Sequence, residues 1–212
     1  MLTLHIANKN LSSWSLRPWL LLKMLGVPFH EVVETFSSYG GNGHSYEKFR
    51  RFSPTGLVPC LKDGDLLVWD SLAICEHIAE AYPAAWPQNK SARVWARSAT
   101  AEMHSGFQAL RTQCPMNCSP QAPLAVIDTE LSKDLARIVE LWENGLQSFA
   151  GPFLAGNRFT TVDAFFAPVA IRIHHYQLPV SVPCQAWIAR ILALPALQKW
   201  IDAARREIEP PR

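Results

Sequence analysis

Asn10-Leu11-Ser12-Ser13-Trp14-Ser15-Leu16-Arg17-Pro18 decides the fold of this chain, because it joins a short apolar strand to a helix. Before it, Leu2 to Ala7 is rich in strand formers and alternates weakly. After it, Trp19 to Leu25 runs apolar until Gly26 and Pro28 supply the stop signal. Proline lacks an N–H and fits a helix's first turn, so the helix is expected to begin near Ser15. Ser12 and Ser13 would then stand at a helix N-terminus, where free N–H groups and the positive end of the dipole favour an anion. The plainer alternative makes Ser15 an N-cap and the other two serines turn residues. Phe29 to Glu34 alternates again, and strand, helix, strand predicts a parallel pair with a right-handed crossover.

Outward from this unit, Ser37 to His44 is rich in glycine and serine and reads as a mobile loop, followed by a short helix over Tyr46 to Phe52. Two apolar runs, Val58 to Lys62 and Leu66 to Trp69, flank Asp63-Gly64-Asp65 and predict a hairpin. Pro59 cannot donate to a ladder, so it must open its strand or lie at an edge. Asp70-Ser71 starts a helical run over Leu72 to Glu80, and Tyr82 to Pro87 ends it. From Ser91 onward every pattern is helical: about Ser91 to Cys114, Leu124 to Phe149, Thr161 to His175, and two shorter helices after Pro183 and Pro195. The expected division is an α/β domain over residues 1–81, a linker over 82–90 and an all-α domain over 91–212. Thr160 and Asp163 have the spacing of a reciprocal capping box and read as structural.

Composition narrows the possible functions. A chain that is 49% hydrophobic, with eight Trp and ten Phe, can fill a large core. A formal charge of +2 with interspersed signs lacks the basic face that nucleic acid requires. The longest apolar runs are broken by Lys23, Pro168 and Arg172, so no membrane span is expected. The first residues lack a basic segment followed by a long apolar one, so no signal peptide is expected. The five cysteines have no CxxC or Cys/His spacing, which predicts no metal site and a reducing, cytoplasmic setting. Cys60 and Cys75 should be buried; Cys114 and Cys118, on either side of Pro115, could be exposed.

The order of these elements, with Ser12 to Arg17, Val58-Pro59, Asp70-Ser71 and Thr160 to Asp163 at their positions, resembles the soluble glutathione transferases of the serine type. The first motif is most similar to the zeta class, with theta-like members next. The resemblance implies a thioredoxin-like N-terminal domain, a helical-bundle C-terminal domain, a homodimer and glutathione as co-substrate without a metal. It implies that Val58 presents its backbone to the cysteinyl part of glutathione beside a cis Pro59. It further implies that Asp70 and Ser71 hold the γ-glutamyl end, that Ser15 supports glutathione binding, and that Ser13 or Ser12 hydrogen-bonds the thiolate. Counting back from Arg17 selects Ser13, and matching the zeta double serine selects Ser12. Trp14 replaces the zeta-class cysteine. Leu57 stands where some classes place Lys or Gln, a contact that His44 or Lys48 could replace. Arg17 should form a structural salt bridge.

The implied chemistry is the activation of a thiol for attack on a small electrophile, by conjugation or by a zeta-like isomerisation. A free thiol has a pKa near 8.5, so lowering it about two units needs roughly 2.7 kcal/mol. One hydroxyl donor to a charged group supplies about 1.5–3 kcal/mol and a helix terminus about 0.3–1. The electrophile would meet Trp14 and a helix face carrying His104, Phe107 and Arg111, spaced i, i+3 and i+7. Alternatively Phe107 is core and the other two face solvent. Two competing functions remain: a binding module of the same fold without turnover, and a cysteine-based thiol reductase. The second is weakened because no cysteine occupies positions 12 to 15.

Overall fold

The computed structural model describes residues 1–36 and 44–207, so the loop expected from Ser37 to His44 lies almost entirely outside the described residues. Strand β1 (Leu2–Ile6), helix α1 (Ser13–Leu25) and strand β2 (Phe29–Val33) form the expected unit. β1 and β2 pair in parallel. Helix α2 (His44–Phe49) precedes the hairpin of β3 (Cys60–Asp63) and β4 (Leu66–Trp69), whose turn places Gly64 at φ 57°. β3 runs antiparallel to β1, which gives the sheet order β2-β1-β3-β4. Helix α3 (Ser71–Ala81) follows.

The C-terminal half contains α4 (Lys90–Ser105), α5 (Gln108–Gln113), α6 (Thr129–Phe149), α7 (Thr161–His175), α8 (Val182–Leu192) and α9 (Pro195–Arg206). α7 is buried along nearly its whole length and packs on α1, α4 and α8. The apolar core runs without a break from Leu4 to Ala204 through this α1–α7 contact. Asp163, wholly buried, accepts from the backbone N–H of Thr160 (3.0 Å) and Leu154 (2.9 Å) and from Trp187 Nε1 (3.2 Å). It therefore ties the start of α7 to the preceding loop and to α8, a structural role as expected.

Four boundaries differ from the sequence expectations, and the first is α2, which spans His44–Phe49 and not Tyr46 to Phe52. α1 begins at Ser13, not near Ser15, because Ser12 is the N-cap and its Oγ accepts from Ser15 N at 3.3 Å. Pro18 thus lies inside the helix and cannot donate to the Trp14 carbonyl. The single helix expected from Ser91 to Cys114 is broken at Gly106-Phe107, with Phe107 at φ 60°. One local and one tertiary partner satisfy the broken ends: Arg111 Nε donates to Gly106 O five residues back at 2.9 Å, and Leu110 N donates to Asp134 Oδ2 of α6 at 3.0 Å. α6 starts at Thr129, not Leu124, because Asp128 caps it through Leu131 N at 2.8 Å.

Gly145 on α6 marks a close approach. A Cβ there would overlap the Leu154 carbonyl oxygen and the ring of Trp95 on α4. Gly145→Ala is expected to cost about 1–3 kcal/mol in urea unfolding, the usual penalty of overpacking, because a backbone carbonyl is among the groups that would have to move.

Candidate active site

The sheet brings three sequence motifs to one end. His5 of β1 lies opposite Cys60, and Cys60 lies opposite Trp69. The chain leaving β1 toward α1, the Val58-Pro59 peptide entering β3 and Asp70 leaving β4 therefore share the same edge of the molecule. Val58-Pro59 is cis, as expected. Asp70 has φ 74° and ψ 137°, a conformation that L residues rarely adopt and that costs on the order of 1–3 kcal/mol. Such strain persists where surrounding structure over-determines it, and here Asp70 Oδ1 is held by Leu72 N (2.7 Å) and Ala73 N (3.3 Å) as the cap of α3.

The three serines of the opening motif have different states. Ser12 Oγ accepts from Ser15 N and donates to Ser15 Oγ at 2.7 Å, so its single hydrogen is committed. Ser15 is fully buried and its Oγ also accepts from Ala7 N at 3.3 Å. Its hydroxyl is turned into the protein, where it braces Ser12 and the end of β1, so any part it has in holding glutathione is through the shape of this turn. Among the described residues Ser13 Oγ has one partner, Nη2 of Arg172 on α7, at 3.4 Å. A guanidinium has no lone pair to offer, so Ser13 accepts and keeps its own hydrogen.

The loop ahead of these serines is pinned from the C-terminal half. Glu207 accepts from the backbone N–H of Lys9 (2.8 Å) and Asn10 (3.1 Å), Trp200 Nε1 donates to Lys9 O (2.9 Å), and Asn10 Oδ1 accepts from Cys118 N (2.8 Å).

Arg17 does not form the expected salt bridge. Among the described residues no carboxylate lies within ion-pair distance of it. It is wholly buried, with its guanidinium 4.1 Å from the centre of the Trp14 ring and 4.6 Å from that of Phe165, and Nη1 donates to Ser71 Oγ at 3.4 Å. Burial, reinforced by Arg111 and Arg172, pulls its pKa well below the ordinary arginine range. Stacking between aromatic faces replaces the carboxylate as its stabilising contact.

Of the residues expected to meet an electrophile, three converge. Trp14 has the His104 ring edge-on at 5.2 Å and the Arg111 guanidinium 5.0 Å from its centre. His104 Nε2 lies 3.3 Å from Asp70 Oδ2, linking α4 to the start of α3. Phe107 does not join them; the break before α5 turns it into the core, edge-on to Phe166 at 6.5 Å. Lys48 is also unavailable in the expected way, since its Nζ donates to Thr35 O at 2.9 Å and sits 3.4 Å from Glu34 Oε2. Leu57 is exposed, and the side chain of His44 lies outside the described residues.

Burial lowers the His104 pKa, only partly countered by Asp70. Below pH 6.5 the unfolded chain takes up a proton that folded His104 refuses, so this residue subtracts stability as pH falls through that range. Relative to His104→Gln, the wild type is expected to lose unfolding free energy between pH 7 and pH 5.5, read from urea melts.

All five cysteines are buried and unpaired, including Cys114 and Cys118, which the sequence had left open to solvent. Burial pushes the Cys118 thiol up to about 12 and that of Cys60 to about 11, so neither is poised as a thiolate nucleophile. Among the described residues no group of His, Cys, Asp and Glu is arranged to hold a metal, and no helix is long and apolar enough to cross a membrane. A hollow of about 480 Å³ between the segment after α3 and the end of α6 is lined by Trp86, Asn89, Phe149 and Arg158, away from the serines.

A sheet of this order with a cis-proline before β3 and an acidic-serine start to α3 defines a thioredoxin-like domain, and it is joined to a helical domain. Residues 11–81 match the family model for the glutathione S-transferase N-terminal domain, and residues 93–203 match that for the C-terminal domain. The chain belongs to the glutathione S-transferase family. A probable maleylacetoacetate isomerase of Vibrio cholerae is 28% identical over 193 residues, 87% of this chain and 89% of that protein. Among solved structures, a theta class glutathione S-transferase of Xanthomonas axonopodis pv. citri with glutathione bound is 25% identical with a TM-score of 0.63, covering 94% of this chain and 96% of that one. A diazinon-metabolizing glutathione S-transferase of the silkworm Bombyx mori shares the fold at a TM-score of 0.73 and 19% identity, over 99% of this chain and 100% of that one. A glutathione S-transferase zeta class of Euphorbia esula is 27% identical over 165 residues, 74% of this chain and 70% of that protein, so the zeta and theta resemblances of the serine motif both appear among the relatives.

Proposed function

We propose that this protein binds glutathione at the shared end of the sheet, ionises its thiol against Ser13, and delivers the thiolate to a small electrophile beside Trp14, His104 and Arg111. The observation that carries this reading is the state of the two candidate hydroxyls. Ser13 retains a hydrogen for a sulfur anion, while that of Ser12 is already given to Ser15. In this assignment Val58 offers its backbone to the cysteinyl residue, Ser71 and the α3 N-terminus take the γ-glutamyl carboxylate, and Asp70 takes the amine. Ser12 and Ser15 brace the turn. Conjugation and glutathione-dependent isomerisation both begin with this thiolate.

The N-terminal unit is assigned to residues 1–81, the linker to 82–90 and the helical unit to 91–212, supported by a sheet confined to the first part. The protein is assigned to the cytoplasm, supported by five unpaired thiols, and to a homodimer. Edge strand β4 supports the latter, because Leu66, Leu67 and Trp69 are exposed on it. A binding protein without turnover is the second reading, favoured by one contact: Asp70 Oδ2 already has His104 as partner, which a ligand amine must displace.

Ultraviolet titration of the thiolate in the binary complex tests the proposal. A bound thiol that ionises about two units below the free one supports it. A thiol that stays protonated at neutral pH overturns it, and an ionised thiol with no turnover across an electrophile panel selects the second reading.

A further inference from the structure

We propose that Arg172 of α7 is a positioning residue for thiol activation, fixing the Ser13 hydroxyl so that its hydrogen is offered to the glutathione sulfur. This inference rests on the assignment of Ser13 above and adds a residue from the other half of the chain, 159 positions away.

Hydroxyl chemistry sets the direction. A serine carries one hydrogen and two lone pairs, and its rotor settles where the strongest donor nearby takes a lone pair. Arg172 Nη2 can only donate, so it holds a lone pair of Ser13 Oγ at 3.4 Å and turns the O–H away from itself. Among the described residues no acceptor receives that O–H. A cationic donor also draws electron density from the oxygen, so the O–H becomes a stronger donor to an anion.

The placement of Arg172 fits this role. Its side chain is almost fully buried, and its other donors are fixed on backbone: Nε on Cys114 O at 2.8 Å and Nη1 on Pro168 O at 3.4 Å. The charged and titratable groups facing it are Arg111 on α5, Cys114 and Cys118 after α5, and Tyr176 at the end of α7, with Arg17 on α1 beyond. None is a carboxylate. Arg111 and Arg17 each feel a more distant carboxylate, Asp134 and Asp70, but no carboxylate faces Arg172 itself, so its buried charge costs free energy that an incoming thiolate relieves. A role limited to joining α7 to α5 would account for the Cys114 contact and would leave the Ser13 contact unused.

The test measures the thiol pKa of bound glutathione in the full-length protein, with KM and kcat beside it. Arg172→Met is expected to raise that pKa by about one unit, about a tenfold loss of thiolate, with KM for glutathione changed less than about twofold. Arg172→Lys, which keeps a cationic donor, is expected to recover part of the shift. Added to Ser13→Ala, Arg172→Met should shift the thiol no further. A folded Arg172→Met with the wild-type thiol pKa, or a full extra shift on the Ser13→Ala background, overturns the proposal. If Arg172→Met does not fold, Arg172→Gln replaces it under the same criteria. Ser13→Ala with an unshifted thiol would instead sink the Ser13 assignment itself, whereas a shift there with none in the Arg172 variants sinks the arginine's role alone.

Discussion

Ser13→Ala is expected to lower kcat/KM for a glutathione-dependent reaction about 10- to 150-fold near neutral pH, while Ser12→Ala lowers it far less. A hydrogen bond to a charged group contributes about 1.5–3 kcal/mol, and each 1.4 kcal/mol is tenfold in rate. Ser13 has that hydrogen available, since its oxygen accepts from Arg172 and its O–H is given to no described acceptor. Ser12 is spent on capping α1 through Ser15 N and Ser15 Oγ. Its replacement should therefore appear mainly as about 1 kcal/mol of lost stability, the usual value of an N-cap. Initial rates and urea melts of the two variants, measured side by side, separate the roles. Equal losses of rate with no difference in stability would contradict the assignment.

The largest expected effect on stability belongs to Asp163→Ala. The wild-type carboxylate meets Leu154 N, Thr160 N, Trp187 Nε1 and, at 3.4 Å, Thr160 Oγ1 in a wholly buried position. Removing the acceptor leaves buried donors unsatisfied, each worth about 1–3 kcal/mol, so a total loss of at least about 3 kcal/mol is expected. For a chain of this size that lowers Tm by about 6–12 °C. The loss also depends on pH. Burial pushes the Asp163 carboxyl up to about 6, against the pull of its donors. Between its ordinary value near 4 and about 6, the folded chain holds a proton that the unfolded chain has released, so stability from this group declines as pH rises through that window. The gap between wild type and Asp163→Ala should therefore be wider at pH 4.5 than at pH 7.5, by about 2 kcal/mol. Calorimetry at the two pH values checks both size and sign.

Much of the candidate site could be read in the sequence because its residues announce themselves through local backbone demands. Pro59 in front of an apolar run, Asp70-Ser71 ahead of a helical period and Thr160 with Asp163 three residues on are signals whose geometry is set within a few residues. The break between α4 and α5 could not be read that way. Arg111 and Asp134 reach back from other turns to satisfy the ends, and only then does Phe107 enter the core instead of the cleft.

The same division holds for the charges. In sequence Arg17 is a cation of the first helix expected to find a carboxylate, and Arg172 is a break in an apolar run that serves only to exclude a membrane span. Packing of α7 on α1 buries both, sets one between Trp14 and Phe165 and the other against Ser13.

By itself the sequence determined the strand–helix–strand unit, the hairpin and the helix starts at Asp70 and Thr160, since each depends on propensity and spacing along the chain, and its motifs carried the resemblance to the family. Only the tertiary structure decided which serine keeps a free hydrogen and which arginine faces it. Hydrogen-bond direction depends on the partners that close packing brings together, and here those partners come from opposite ends of the chain.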